Sequence, residues 1–326
     1  MEARSALDAP RVVEESSSPK PASCGSSPEA CGTPARSAPS FWQRVINWGA
    51  LVKFSHSVFA LPFALIMLLV LSRSRDVQIS SVLLLVLCVV AARTAAMGFN
   101  RIVDREIDRK NPRTAGREIP RGVVSVWEAW ALTLGSAAAF LVGSALLGPH
   151  CLVLAPAVLL VLFGYSLMKR VSSSCHFVLG MALACAPGGV WYAVTGEWSL
   201  KPIPLMAAVL FWVSGFDILY SCQDREFDRT QHLKSIPVLL GVRGAIGAAG
   251  LLHAGSVACL AAFGASFSLG ASFWVGLSAF GLLLASQYVA IYRQGIACID
   301  QVFFSRNGLA SIALCVAVAV DSLSLT

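Results

Sequence analysis

Long apolar runs of about 20 residues constrain this chain more than any other feature. Nine such runs alternate with polar loops along its 326 residues. The hydrocarbon layer of a membrane is ~30 Å thick and needs ~20 helical residues for each crossing. The predicted crossings are residues 49–71, 80–99, 124–147, 150–168, 174–195, 203–222, 244–266, 272–292 and 307–325.

The runs are continuously apolar and do not alternate with polar residues, which excludes membrane-spanning strands. In lipid only helices and closed barrels satisfy the polar groups of the backbone. A mean hydropathy of +0.70 and a charged fraction of 13% also exclude an ordinary soluble domain. The sequence therefore predicts an all-α membrane protein with nine transmembrane helices.

The N-terminal segment differs in composition from everything that follows it. Residues 1–43 are rich in Ser, Pro and Ala, carry charges of both signs and lack the apolar segment of a signal peptide. We predict a disordered tail over 1–43 and a transmembrane domain over 44–326.

The distribution of Lys and Arg predicts the orientation in the membrane. The loops after the second, fourth, sixth and eighth runs hold 15 of them, and the alternate loops hold three. Because positive loops stay on the cytoplasmic side, we expect the N-terminus and the basic loops to be cytoplasmic. The net charge of +7 is then explained without a nucleic-acid partner.

Two acidic clusters lie in these basic loops, "NRIVDREID" at 100–108 and "DILYSCQDREFD" at 217–228. On a helix, a step of four residues returns to nearly the same face. Asn100, Asp104 and Asp108 would form one polar stripe, and Asp224 and Asp228 repeat the step 120 residues later. Such oxygen ligands suit Mg²⁺, which takes one or two carboxylates together with water and substrate phosphate.

A simpler interpretation is that these acids are solvated charges that stabilise helix ends. Two clusters at matched places, each starting before its apolar run has ended, favour a functional site, because acids at the hydrocarbon boundary are costly. Basic residues accompany them, and a cavity with acids for metal and bases for phosphate suits a diphosphate. The basic residues are Arg93, Arg113, Lys169, Arg170 and Lys234.

The five histidines suggest no competing site. They show no metal-ligand spacing, and we expect structural roles for all of them. They are His56, His150, His176, His232 and His253.

These motifs resemble the UbiA-type intramembrane aromatic prenyltransferases, particularly the 4-hydroxybenzoate polyprenyltransferase branch. The resemblance rests on the N-x-x-x-D-x-x-x-D pattern followed by "NPRTAGREIPRG", "YSLMKR" and "DILYSCQDREFD", and it covers residues 45–325. It implies nine helices around a central cavity that opens sideways to lipid and is capped by cytoplasmic loops. It also implies the bacterial inner membrane as the location.

The resemblance assigns roles residue by residue. It implies that Mg²⁺ is held by Asn100, Asp104, Asp108, Asp224 and Asp228. It implies that the catalytic residues are Asp217, Asp104 and Asp224. It implies that substrate is bound by Arg93, Asn100, Arg113, Tyr165, Lys169 and Lys234.

The implied reaction moves a polyprenyl group from polyprenyl diphosphate to a hydroxylated aromatic acid, with the lipid bilayer holding the polyprenyl tail. Ionisation of the diphosphate gives an allylic carbocation, which a ring carbon activated by a hydroxyl attacks. The wording of the second motif is similar to a branch that uses a dihydroxynaphthoate acceptor in menaquinone synthesis. The acceptor therefore stays open between hydroxybenzoate and dihydroxynaphthoate.

Two further functions remain as alternatives. A secondary transporter would use intramembrane charges and broken helices, for which "CAPGGVW" at 185–191 is the best support. The position of the acids at helix ends argues against it. A haem or chlorophyll-type acceptor would keep the reaction, but the "NPRT" and "YSLMKR" motifs disfavour it.

Overall fold

The computed structural model describes residues 40–52 and 61–324, without the side chains of 297 and 301–304. Every regular element in this part of the chain is helical. The α-helices are α1 Phe41–Leu51, α2 Leu61–Ser72, α3 Ile79–Val103, α4 Arg105–Lys110, α5 Val126–Leu147, α6 Pro149–Val171, α7 Cys175–Thr195, α8 Ile203–Ser221, α9 Arg225–Thr230, α10 Ile236–Ser266, α11 Ala271–Gln294 and α12 Ile299–Leu323.

Eight helical segments in the described part of the chain are long and apolar enough to cross a membrane. They are α3, α5, α6, α7, α8 continued through α9, α10, α11 and the part of α12 from Ser305. Helix α2 is apolar but has only 12 residues, and part of the predicted first run, residues 53–60, lies outside the described residues. The all-helical membrane fold is confirmed. The described residues contain eight such segments, so the predicted count of nine crossings is approximate.

The described helices bear on two predicted boundaries, the end of the N-terminal tail at residue 43 and the start of the apolar run at residue 244. Residues 1–39 of the predicted tail lie outside the described residues, while residues 41–43 already belong to α1, which Ser40 caps by accepting a hydrogen bond from the Gln43 N–H at 3.2 Å. Helix α10 begins at Ile236, well before the predicted residue 244. Gly241, where φ is +71° and ψ is 172°, interrupts this helix and divides residues 236–240 from the main piece that follows.

The bundle is apolar on its outer surface as well as inside. Large aliphatic side chains such as Leu83, Leu134, Val153, Leu251 and Val275 are exposed along the long helices. A helix that is hydrophobic all round is either in the core of a large protein or in a membrane. Lipid is therefore the solvent that this surface fits.

A cluster of buried aromatic rings lies where α2, α8 and α11 meet. The fully buried Trp212 ring has its centre 5.0 Å from that of Phe63 and 6.1 Å from that of Phe280. The Trp212 indole N–H is not left unsatisfied in this apolar core, because it donates to Asn307 Oδ1 at 3.0 Å. This half of the bundle is a solid core that holds α8, and hence the second acidic motif, in place.

The other half of the bundle contains a cavity of about 790 Å³ between α3, α5, α6 and α7. Its walls are mostly aliphatic and aromatic. Arg93, Met97 and Tyr165 lie towards the end where α3 and α6 finish, and the loop from Glu197 to Ile203 lines the opposite end. The cavity therefore runs through the bundle next to the first acidic motif.

Candidate active site

The first acidic motif is a junction between two helices. Asn100 lies in the last turn of α3, and Asp104 follows its end with a backbone (φ −89°, ψ 4°) outside the regular helical range. Asp108 is then buried in the short helix α4. The expected continuous stripe on one helix is therefore wrong in detail, because the helix breaks at Asp104. The Asn100 amide still donates to Asp104 Oδ2 at 3.0 Å.

The second motif repeats this construction. A short 3₁₀ turn, Cys222–Asp224, follows α8, and Asp224 has nearly the same backbone conformation as Asp104 (φ −95°, ψ 0°). Asp228 is buried in α9, as Asp108 is in α4. This sparsely populated region of backbone space is common among active-site residues. The 120-residue offset seen in the sequence thus corresponds to two copies of one local structure.

Four ion pairs hold the motif carboxylates. Arg117 Nη1 lies 2.6 Å from Asp108 Oδ1, and Lys169 Nζ lies 2.8 Å from Asp228 Oδ1. Arg170 Nη2 lies 3.0 Å from Asp104 Oδ1, and Arg113 grips Asp224 with two nitrogens, Nε donating to Oδ1 at 2.8 Å. Carboxylates this close to the hydrocarbon boundary need such partners.

Residues between the motifs join them into one cluster. Lys169 and Arg170 are neighbours at the end of α6. Lys169 pairs with Asp228 of the second motif, and Arg170 pairs with Asp104 of the first motif. The loop after α4 reaches Asp224 with Arg113 and with Asn111, whose amide donates to Asp224 Oδ1 at 3.0 Å. The structure therefore brings the two halves of the predicted site together.

The cluster is unevenly buried. The side chains of Asp228, Asp108 and Asp224 are 1%, 6% and 9% exposed, whereas that of Asp104 is 23% exposed. Burial raises the pKa of the Asp104 carboxyl above its usual range, and the ion pair with Arg170 opposes that rise only in part. Among the four acids that form ion pairs with Arg or Lys, Asp104 is thus the most open to a ligand.

Arg93 and Tyr165 line the apolar cavity and stand apart from the ion pairs. The Arg93 Nε atom is buried and has no hydrogen-bond partner among the described residues. Tyr165 is one turn before Lys169 on α6, and Arg93 is two turns before Asn100 on α3. Both side chains therefore lie where the cavity meets the charged cluster.

Lys234 is a predicted site residue that makes no ion pair with the motif acids in the described part of the chain. Its ammonium donates to the Val171 carbonyl at 2.8 Å, and its backbone N–H donates to the Lys169 carbonyl at 2.8 Å. In this structure Lys234 ties the loop after α9 to the end of α6. It supports Lys169 through the backbone.

Asp217 has a different kind of partner from the other acids. Its Oδ2 lies 2.6 Å from Nδ1 of His176, a residue that the sequence analysis treated as structural. No Arg or Lys ion pair to Asp217 occurs in the described part of the chain. Asp217 lies on α8 two turns before Asp224, at the edge of the cluster.

The oxygen donors of the cluster fit Mg²⁺ in kind. The buried Asp228 carboxylate has Lys169 as an ion-pair partner, yet neither of its oxygens makes a hydrogen bond of good geometry. Within the described residues no three His, Cys, Asp or Glu side chains converge on one point. Mg²⁺ commonly takes one or two carboxylates and completes its shell with water and phosphate. The arrangement therefore fits a metal that arrives with a phosphorylated ligand.

Sequence reasoning missed three residues that contact the motif acids. Arg117 and Asn111 both lie inside the quoted "NPRTAGREIPRG" segment, but that segment holds three arginines, and spacing does not choose between them. His176 carried no signal, since its partner is 41 residues away. Each contact depends on the tertiary fold.

Comparison with known proteins finds relatives of this chain. The UbiA prenyltransferase family matches residues 60–309. The chain is 30% identical to 4-hydroxybenzoate octaprenyltransferase of Vibrio parahaemolyticus, over 68% of this chain and 78% of that protein. It is 32% identical to polyprenyl transferase atnF of Arthrinium sp, over 54% of this chain and 58% of that protein.

Solved structures agree with these similarities. A UbiA homologue from Aeropyrum pernix K1 superposes with a TM-score of 0.75 at 34% identity, covering 82% of this chain and 98% of that one. A UbiA homologue from Archaeoglobus fulgidus, solved with DMAPP and Mg²⁺, has a TM-score of 0.61 at 20% identity and covers 86% of this chain and all of that one. The second likeness shows the fold alone.

Proposed function

Because the chain belongs to the UbiA prenyltransferase family and is an integral membrane prenyltransferase, we propose that it transfers a polyprenyl group from polyprenyl diphosphate to a hydroxylated aromatic acid, most like 4-hydroxybenzoate. One observation carries this proposal. A single turn of α6 separates Lys169, in the charged cluster, from Tyr165, in the wall of the apolar cavity. A diphosphate and its tail need these two environments side by side.

The charged cluster would bind the diphosphate. Asn100, Asp104, Asp108, Asp224 and Asp228 would hold Mg²⁺, as the bound DMAPP and Mg²⁺ of the A. fulgidus homologue support. When bound, the metal supplies positive charge to the leaving diphosphate. Arg113, Arg117, Lys169 and Arg170 supply donors for phosphate oxygens and stabilise the charge that develops as the bond to the prenyl carbon breaks.

The apolar cavity would receive the prenyl chain. Its aliphatic walls offer the tail an environment like lipid, where each buried CH₂ is worth ~0.8 kcal/mol. They also exclude water from the allylic cation that forms when the diphosphate leaves. The reaction then proceeds to attack by the acceptor before a water molecule can compete.

Arg93 is the best candidate for binding the carboxylate of the acceptor. Its buried Nε lies where the cavity meets the cluster and has no hydrogen-bond partner among the described residues. Such a buried donor is costly unless an anion accepts its hydrogen bond. With the acceptor held by Arg93, its hydroxyl is oriented by Asp217 and its ring carbon attacks the prenyl cation. Loss of the ring proton then restores aromaticity.

A dihydroxynaphthoate acceptor is the alternative that the second motif favours. The wording "FDILYSCQDREFDRTQHLKSIP" is similar to menaquinone-pathway relatives, while the 4-hydroxybenzoate octaprenyltransferases among the relatives support hydroxybenzoate and ubiquinone biosynthesis. Both acceptors carry the carboxylate and hydroxyl that this site would recognise. Family membership argues against a transporter.

The charged cluster would face the cytoplasm, with the N-terminus on the same side. The Lys and Arg residues of the loops that carry both motifs support this orientation. Bacterial relatives support the inner membrane of a bacterium as the location. Residues 1–43 remain a predicted tail and 44–326 the predicted catalytic domain.

The deciding experiment is an acceptor comparison. Purified protein in lipid is incubated with Mg²⁺, a polyprenyl diphosphate and either 4-hydroxybenzoate or dihydroxynaphthoate, and the product is identified by mass. We expect a prenylated hydroxybenzoate to dominate. Phenol, which lacks the carboxylate, is the matched control. Wild-type protein should prefer the acid, and Arg93→Met should lose that preference. Absence of product with every hydroxylated acid would reject the proposal.

A further inference from the structure

His176 joins three helices next to the second motif. Its ring is buried on α7, its Nδ1 lies 2.6 Å from Asp217 Oδ2 on α8, and its Nε2 accepts the backbone N–H of Ile236 at the start of α10 at 3.2 Å. Its carbonyl also accepts the Ser214 hydroxyl at 3.1 Å. The imidazole is therefore held at both of its nitrogens.

These contacts assign the protons of the His176 ring. A backbone N–H always donates, so Nε2 must present its lone pair to Ile236. The ring proton then sits on Nδ1 and is donated to Asp217. An imidazolium would direct a second N–H at the N–H of Ile236, which the geometry disfavours. The ring therefore binds Asp217 as a neutral donor.

A neutral donor distinguishes Asp217 from the other motif acids. Asp104, Asp108, Asp224 and Asp228 each face an Arg or Lys that cancels their charge. Asp217 faces the His176 ring instead, and its side chain is 27% exposed, with its second oxygen outside the His176 contact. A carboxylate that is oriented but not neutralised is suited to accept a hydroxyl proton.

We propose that His176 is a positioning residue for the transferase reaction, which holds the Asp217 carboxylate by one oxygen so that the other faces the hydroxyl of the aromatic acceptor. This inference rests on the proposed function. It adds that His176 serves the acceptor and leaves the diphosphate to the four ion pairs. Its loss should therefore lower kcat and leave the KM for the prenyl diphosphate unchanged.

Substitutions that keep or remove an N–H donor test this role. His176→Leu removes the donor, while His176→Gln and His176→Asn keep an amide N–H. We expect kcat to fall about 10- to 100-fold in His176→Leu, by analogy with other groups that orient a reacting residue, and to recover largely in whichever amide variant reaches Asp217. Ser214→Ala, which removes a neighbouring hydrogen bond without touching Asp217, should keep near-normal kcat.

Thermal unfolding in detergent identifies variants that fail to fold. Normal kcat in folded His176→Leu would overturn the inference. An equal loss of kcat in all three folded His176 variants would also overturn it, since that pattern indicates a packing role. Wild-type protein that prenylates no aromatic acid would instead count against the proposed function.

A spectroscopic test does not depend on turnover. In protein labelled with ¹⁵N at its five histidines, the His176 signal is identified by its disappearance in His176→Gln. We expect the shifts of a neutral ring protonated at Nδ1, and a change in them in Asp217→Asn. An imidazolium, or a ring protonated at Nε2, would overturn the assignment.

Discussion

The two acidic motifs share a backbone conformation and differ in what holds them. Asp104 and Asp224 occupy equivalent junctions before short helices that begin Arg-Glu and continue to a buried Asp. In the first motif, Asp108 is held by Arg117, nine residues away on the same loop. In the second, Asp224 is held by Arg113, which comes from 111 residues away.

This difference shows that the motifs depend on the fold to different degrees. The first motif supplies one of its two ion-pair partners from its own loop, takes the other, Arg170, from α6, and leaves Asp104 partly exposed. In the second motif the paired acids, Asp224 and Asp228, are almost fully buried and rely on side chains from the first motif's loop and from α6. We infer that the first motif is the adaptable side of the site and that the second is its rigid wall.

Removal of divalent metal tests what the motifs share. If both contribute ligands to Mg²⁺, excess chelator should reduce turnover to background, because the carboxylates alone cannot attract a diphosphate. Turnover should return when Mg²⁺ is added back. Product formation measured by mass with and without chelator checks this. Full activity in chelator would remove the basis for assigning Mg²⁺ to either motif.

Single substitutions test whether the motifs act as one site. Asp104→Asn and Asp224→Asn should each lower kcat by about 100-fold or more, because each removes charge that stabilises the same ionisation step. The double variant should be scarcely worse than either single variant, as for groups that act as a unit.

Glu106→Gln is the matched control for these substitutions. Glu106 lies on α4 between Asp104 and Asp108 but is exposed, and such surface changes usually alter stability by less than ~0.5 kcal/mol. Its turnover should be near normal. Independent, additive losses for Asp104 and Asp224 would separate the motifs into two sites.

Stability should distinguish the motifs where turnover does not. Removing one partner of a buried ion pair costs ~3–5 kcal/mol, whereas an exposed pair contributes ~0–1 kcal/mol. Asp224→Asn should therefore lower the midpoint of thermal unfolding in detergent more than Asp104→Asn does. Arg113→Gln should resemble Asp224→Asn. Equal midpoints for the two Asp variants would contradict the contrast between a rigid and an adaptable motif.

The sequence predicted the parts of this site that depend on local spacing. Asn100 does reach Asp104, and both acid pairs occupy matched places, because these features follow from steps of four residues and a repeated motif. The partners of the acids could not be predicted in the same way. Lys169 and Arg170 are adjacent in sequence, yet each binds a different motif. This division depends on the packing of α6 between the two motifs.

Helix boundaries were likewise predicted best where they depend on local sequence. The long apolar runs predicted the helices, including the main part of α10, which follows the break at Gly241 and begins close to the predicted residue 244. Pro237, Gly241 and Arg243 resemble a loop in sequence. In the structure Pro237 lies in the first turn, which needs no N–H from it, and Gly241 absorbs the kink with a positive φ. The sequence missed only the short helical piece that precedes Gly241.

The pH dependence should report the first motif. Because burial raises its pKa, the Asp104 carboxyl takes up a proton at a higher pH than an exposed Asp does. The pKa of an exposed Asp is about 3.9. Turnover should therefore fall on the acid side above that value. Arg170→Gln removes the contact that opposes the shift and should move the acid limb of the pH profile of kcat to still higher pH. An unmoved limb would assign it to another group.

Stability should move in the opposite direction over the same range. A carboxyl whose pKa is raised by folding binds more protons in the folded state, so its contribution to stability falls as pH rises between the unfolded and folded pKa values. For Asp104 the window lies immediately above the ordinary Asp value. Activity that rises while the unfolding midpoint falls would identify this residue in both measurements.

The smallest effect should come from removing residues 1–39. The first motif is joined to the N-terminal region through α1, since the buried Arg101, next to Asn100, donates from Nε to the Leu51 carbonyl at 3.3 Å. Deletion of 1–39 keeps that contact and the Ser40 cap of α1, so turnover and membrane insertion should stay near normal. Deletion of 1–51 is the matched control, because it removes the acceptor of Arg101 and should impair the first motif. A large loss from the shorter deletion, measured as kcat in lipid, would show that the tail contributes to the site, and the first motif would then be no more self-sufficient than the second.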